Sequence, residues 1–321
     1  MDNIYPAVLK KEYAKTADTI ALGLLLNLCL LQIRTDLDGI FTRMFISMGV
    51  TEASATLANL RYLVNIILYS LSFLLPAFFI SKFSNSVYPQ NKSENGNFPC
   101  RFPKYFYFIL PAALGCITIA GRLTEILQGL LAFIKIGFVS SSPVFPDDVL
   151  GTVLVFISSA VIPAVVEEIL FRRVILSRLI PYGKVFAVVM SSLLFAIMHA
   201  NPSQLIYAFV GGLVMGYVTL KSDSILPAVI IHFSNNTLSL IYLLIKKYAG
   251  EKAFIITVST LDSALSVIGI IAVAIFIYKK KYTFGEEKTE GFSPIRESLR
   301  LYLFAYLAYA VYLSSRWVYV I

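Results

Sequence analysis

Charge is what this sequence has least of: only 14% of its 321 residues are Asp, Glu, Lys or Arg, where a soluble domain carries about a quarter. With 58% hydrophobic residues and a mean hydropathy of +0.76, that shortage excludes a soluble globular protein. Cysteine is scarce too. Cys29 and Cys116 fall in apolar stretches and Cys100 in a polar one, without a CxxC pair, so neither a disulfide framework nor a thiolate metal site is implied. The sequence shows no internal repeat or low-complexity segment that would support an inverted-repeat transporter. Runs such as Ala253 to Tyr278 lack dyad alternation, which a transmembrane β-barrel would need.

What remains is a series of uncharged apolar runs, to be set against the roughly 20 helical residues that cross a hydrocarbon core. They cover Thr16 to Ile33, Leu60 to Ile80, Tyr105 to Gly121, Val149 to about Ile180, Val185 to Ala200, Ser203 to Leu220, Ser224 to Ile245, Phe254 to Tyr278 and a Tyr-rich segment from Leu299 to Ile321. The expectation is an all-α, polytopic transmembrane helical bundle of about eight spans. Leu127 to Val139 is too short to span and reads as interfacial or re-entrant. Arg316 interrupts the last segment, whose tyrosines suit a membrane-interface belt as well as a span. Lys10, Lys11 and Lys15 ahead of the first run imitate a signal peptide, but Leu28 to Arg34 has no small-residue cleavage pattern, so that span is read as retained.

The formal net charge of +8 would suggest nucleic acid in a soluble protein. Here the basic residues collect in short connections beside spans, as topology signals do, and no nucleic-acid partner is expected. Lys10 to Lys15, Lys82 to Lys104, Arg172 to Lys184, Lys221 and Lys279 to Arg300 alternate along the chain with Arg34 to Arg61, Arg122 and Lys135, Lys246 to Lys252, and Arg316. The second set holds about half as many, which predicts a cytoplasmic N-terminus. Polar tracts at Ser81 to Lys104 and Lys279 to Arg296 read as ordinary loops or linkers.

A charge at bilayer depth costs at least about 2.5 kcal/mol on insertion scales, so ionisable residues inside spans mark function by default. Glu167, Glu168, Arg172 and Arg173 fall inside one long run, His199 near the end of the next, and His232 with Asn236 in a third. The two histidines are the protein's only ones. At about 1.5 Å per helical residue, Glu167 lies roughly 20 Å, His199 roughly 22 Å and His232 roughly 12 Å below one membrane face, close enough to share a layer within the error of the span boundaries. Residues four apart share a helix face, so Glu168 pairs with Arg172. Glu167, rotated about 100° away, is left to project toward the histidines. His232 and Asn236 also share a face. The set supplies a base, water-orienting groups and an oxyanion donor.

These residues resemble a family. EEILFR at Glu167 to Arg172, FAIMH at Phe195 to His199 and HFSNN at His232 to Asn236 match the EExxxR, FxxxH and HxxxN motifs, in order and spacing, of the CPBP intramembrane proteases. That family includes the CAAX prenyl endopeptidases and the bacteriocin-processing and self-immunity (Abi) proteins. The resemblance covers roughly Val149 to Ile245 and divides the chain into N-terminal helices (1–148), a catalytic core (149–245) and C-terminal helices (246–321). It implies that Glu167 activates water, that His199 and His232 orient the water or bind a metal, that Asn236 stabilises the oxyanion, and that Glu168 with Arg172 supports the site. Zinc, held by Glu167, His199 and His232, and a metal-free glutamate mechanism are both open. Arg173 departs from the Gly often found there, and Asn201 and Pro202 follow His199 at once.

The implied function is hydrolysis of a peptide bond in a CAAX-type lipid-modified or membrane-associated substrate, near the cytoplasmic end of a cavity inside the bundle. The bilayer and a membrane-embedded or prenylated peptide are its expected partners, and a bacterial host would place it in the plasma membrane. The alternatives are a non-catalytic self-immunity or scaffold protein of the same fold and, more distantly, a proton-coupled transporter. Phe195 reads as packing, and Gly212 and Gly216 as a GxxxG helix contact.

Overall fold

The computed structural model describes residues 4–51, 54–84, 101–139, 143–278 and 293–320. Cys100 and most of the two polar tracts lie outside the described residues. The chain runs as α1 (Ile4–Ser47), α2 (Ala55–Phe83), α3 (Phe106–Phe133), α4 (Val149–Tyr182), α5 (Lys184–Met198), α6 (Pro202–Ser222), α7 (Leu226–Tyr278), α8 (Pro294–Glu297) and α9 (Leu301–Ser315).

Each of the nine apolar runs forms helix, the last only over Leu301–Ser315, but six helices have the length and composition of membrane spans: the long α1 to α4, α6 and α7. The expected pair Ser224 to Ile245 and Phe254 to Tyr278 is one 53-residue run, α7. It breaks at Gly250, whose φ of +85° is open to glycine and strained for other residues. Tyr242 donates to Asp262 across this break at 2.7 Å, so the second arm returns alongside the first. Helices α5 and α9 hold 15 residues each. Large apolar side chains stand exposed along the outer faces, among them Ile67, Leu71 and Phe78 on α2 and Ile255, Ile270 and Ile277 on α7. The chain is a multi-pass integral membrane protein, since such faces require lipid.

Two expectations are corrected. Leu127 to Phe133 forms the last turns of the 28-residue α3 instead of a separate interfacial piece, because no Gly or Pro follows Gly121 to stop the helix before Gly129 and its neighbours are strong helix formers. The all-α description also needs one addition. Ile136–Phe138 (β1) pairs antiparallel with Val318–Val320 (β2), Gly137 facing Tyr319. The C-terminal segment is placed by its polar contacts: Arg300 donates twice to Asp18 at 2.7 Å, and Arg316 donates to Gln32 at 2.8 Å. Helix α9 therefore runs parallel to α1 along the bundle.

Side-chain contacts define two ends. At the first, Tyr13 bonds Ser298, Arg178 donates to Ser84, and Tyr182 reaches Thr16. At the second, the strap formed by residues 143–148 is tied down by Tyr62 donating to the Val144 carbonyl (2.7 Å), Lys247 to the Phe145 carbonyl (2.9 Å) and Asn59 to Asp148 (3.1 Å).

Three local features shape the interior between the ends. Asp148 caps α4 by accepting from the Gly151 amide at 2.7 Å, which satisfies a first-turn donor. Pro163 lacks an amide hydrogen, and α4 widens to a π turn at Ile157–Val161 just before it; a second π stretch, Ile169–Leu176, follows Glu168 at once. Such turns replace the i−4 bond with an i−5 one. Finally, α5 is cut short. Ala200 takes a left-handed backbone (φ +46°), Asn201 caps α6 by accepting from the Ser203 amide at 3.0 Å, and Pro202 opens that helix. At about 1.5 Å per residue α5 climbs roughly 22 Å from the first end, well short of its longer neighbours.

Close helix contacts rest on glycine, as expected at Gly212 and Gly216: a Cβ there would meet Ser192 at 2.9 Å and Val188 at 3.2 Å on α5. The tighter contact joins α3 to the second arm of α7, where a Cβ on Gly115 would stand 2.2 Å from the Leu265 carbonyl oxygen.

Candidate active site

Glu167 and Glu168 sit where α4 changes winding, and both are buried. Glu168 pairs with Arg172, as its spacing suggests, at 3.1 Å between Oε2 and Nε. The contact is close as an ion pair yet not aligned as a hydrogen bond. The guanidinium lies 4.8 Å from the centroid of the Phe195 ring, which offers the buried cation a second partner. Glu168 also does something its spacing did not suggest: its Oε1 accepts from Nδ1 of His232 at 3.0 Å. One carboxylate thus links α4 to α7.

Both histidines have one nitrogen fixed. The Nδ1–H of His199 donates to the Phe195 carbonyl at 2.9 Å, and that of His232 to Glu168. In neutral imidazole this leaves each Nε2 as an acceptor. Phe195 holds the set in place, its ring edge-on to His199 at 4.9 Å and to His232 at 5.9 Å between centroids. The Phe of FxxxH therefore packs, as expected, and what it packs is the two imidazoles and Arg172.

Glu167 projects to the other side. Its Oε1 accepts from the Tyr69 hydroxyl at 2.5 Å. Its Oε2 lies 3.9 Å from His232 Nε2 and has no hydrogen-bond partner among the described residues. Tyr69 comes from α2, and Arg34 of α1 lies over its ring at 5.2 Å. Neither residue was singled out in the sequence. Tyr69 is one of 19 tyrosines, with no motif to mark it.

These groups face a cavity of about 620 Å³. Glu167, His199, His232, Asn235, Asn236 and Tyr69 all line it. Asn236 stands one turn beyond His232, its Oδ1 accepting from Asn235 at 3.4 Å. The cavity lies beyond the tip of the short α5 and widens toward the second end, past Ser159, Tyr242 and Pro143. It reaches the surface beside Glu125, whose side chain is 65% exposed. On the first-end side of the glutamates Arg172, Leu176, Leu179, Ala187 and Ile231 fill the interior. Packing between α4, α5 and the first arm of α7 fills the first end, and the short α5 leaves the interior toward the second end hollow.

A carboxylate and two imidazoles are the right kinds of donor for zinc, and anchored Nδ1 atoms are what ligating histidines show. Among the described residues no three His, Cys, Asp or Glu side chains are gathered to hold an ion, so no step below runs through a metal.

A family model described as type II CAAX prenyl endopeptidase Rce1-like matches residues 149–238. That stretch is a CPBP-family domain. It extends from the start of α4 into the first arm of α7 and contains Glu167, Glu168, Arg172, His199, His232 and Asn236. Tyr69, Arg34 and the strap lie outside it. No curated protein and no solved structure matches the chain. The matched stretch, less than a third of the chain, suggests a CAAX-type protease and implies a peptide substrate.

Proposed function

We propose that the protein is an intramembrane endopeptidase that cleaves a peptide bond of a lipid-modified, CAAX-type or membrane-associated substrate, with Glu167 activating water. The observation that carries this reading is the Oε2 of Glu167, buried, without a hydrogen-bond partner among the described residues, 3.9 Å from an imidazole nitrogen and at the wall of a large cavity. A water between Oε2 and His232 Nε2 gives up a proton to Glu167 as its oxygen attacks the carbonyl carbon. Its second hydrogen is held by an imidazole Nε2, that of His232 or of His199, which orients the water. The Asn236 amide hydrogens stabilise the oxyanion that forms. Glu167 then returns the proton to the leaving amine as the C–N bond breaks. Glu168 and Arg172 keep His232 aimed.

The test is cleavage of a fluorogenic peptide library that includes prenylated CAAX peptides, by purified protein in detergent. Wild type cleaves at least one member, while Glu167→Gln and His232→Ala, present at normal level and folded, do not. A chelator leaves the rate unchanged; loss on chelation with recovery on zinc would move the mechanism to the metal. No product from any member would favour the self-immunity or scaffold reading.

A further inference from the structure

The distribution of basic residues and the direction of the cavity fix which face of the membrane supplies the substrate. The first end of the bundle gathers Lys10, Lys11 and Lys15 at the start of α1, Lys82 at the end of α2, Arg101 and Lys104 before α3, Arg173, Arg178 and Lys184 around the α4–α5 link, Lys221 before α7, and Arg296 and Arg300 before α9. The second end is poorer among the described residues, with Arg34, Arg43, Arg61, Arg122, Lys135, Lys246, Lys247, Lys252 and Arg316. The connections at both ends are short, which is the condition under which the excess of Lys and Arg marks the cytoplasmic side. The first end is then cytoplasmic.

The cavity faces the other way. Its lining runs from Met215 and Gly211 on α6, past Glu167 and His232, to Glu125, Ser239 and Pro143 toward the second end, while between α4, α5 and the first arm of α7 the first-end side is filled by Arg172, Leu176, Leu179 and Ile231. We infer that the site takes a peptide or membrane-protein segment presented from the non-cytoplasmic face, not a prenylated C-terminus held on the cytoplasmic leaflet. This rests on the endopeptidase reading for the word substrate, but the orientation stands on charge and packing alone. It selects the membrane-associated branch of that reading over the CAAX branch.

The experiment is labelling with a membrane-impermeant maleimide in intact bacterial cells and after permeabilisation. Cys29, Cys100 and Cys116 are first replaced by Ala, and single cysteines are introduced as Asp147→Cys on the strap, Ser239→Cys in the cavity and Lys11→Cys at the first end. Asp147 is 96% exposed by side chain, and Ser239 and Lys11 are exposed. Asp147→Cys and Ser239→Cys are expected to label as fully in intact as in permeabilised cells, and Lys11→Cys to rise from background only on permeabilisation. The reverse pattern, or Ser239→Cys labelling together with Lys11→Cys, overturns the inference. Should the cysteine replacements disturb folding, sealed vesicles of the wild-type chain give the same answer. Peptide added outside is cleaved by right-side-out vesicles and spared by inverted ones, and the opposite result overturns it. Labelling needs no activity, so a chain that cleaves nothing still reports its orientation.

Discussion

Tyr69→Phe removes a single oxygen atom and leaves the ring in the cavity wall. That oxygen donates to Glu167 Oε1 at 2.5 Å and is the contact that keeps Oε2 turned toward His232. A hydrogen bond to a charged partner contributes about 1.5–3 kcal/mol. If the contact acts wholly on the orientation of the base in the transition state, kcat falls roughly 10- to 150-fold at about 1.36 kcal/mol per decade. KM stays near its wild-type value, because the surface that meets substrate is unchanged. The assay is kcat and KM on the best peptide of the library, together with thermal unfolding in detergent to show that the bundle is intact. An unaltered kcat, or a loss that falls on KM alone, would refute the positioning role of Tyr69. Arg34→Gln takes the cation from the same ring and should lower kcat less, as a cation–π contact contributes about 0.5–1 kcal/mol.

Three further outcomes follow from packing and charge. Breaking the buried pair with Glu168→Leu costs about 3–5 kcal/mol of stability, because Arg172 keeps its charge without its partner; adding Arg172→Leu recovers part of the loss, and additive losses in denaturant unfolding would contradict this. Gly115→Ala drives a Cβ into the Leu265 carbonyl and costs about 1–3 kcal/mol, whereas Gly121→Ala, with nothing within 4 Å of its Cβ, is neutral or stabilising in a melting experiment. The Asp148 carboxyl is held below its ordinary value by the hydrogen bonds it accepts from the Gly151 amide and Asn59. Its cap is therefore complete above about pH 3.9 and is lost as pH falls through the lower folded-state value. Wild type should exceed Asp148→Ala in melting temperature by a constant margin from neutral pH to about 5, converging below about 4; convergence already near neutrality would sink the argument.

The membrane class, the helices of the apolar runs other than the strand at the end of the last, and the three motifs were legible in the sequence, because hydropathy, composition and spacing are local properties. So was the Glu168–Arg172 pair, since four residues on a helix place two side chains together whatever surrounds them. The second partner of Glu168 was not legible. A carboxylate has two oxygens, and only the docking of α7 against α4 brings His232 to the other. Tyr69 was hidden for the same reason: it reaches Glu167 from α2, some hundred positions away along the chain.

The sequence by itself determined that this is a helical membrane protein whose two histidines and adjacent glutamate pair fall on three apolar helices, where charge is costly enough to mark function. Tertiary structure alone decided that α5 stops early at Ala200 and Asn201, that the interior is filled on one side of the glutamates and hollow on the other, and so where the cavity opens. Those outcomes depend on how far each helix extends relative to its neighbours, and length along a chain becomes depth in a bundle only when the helices are packed side by side.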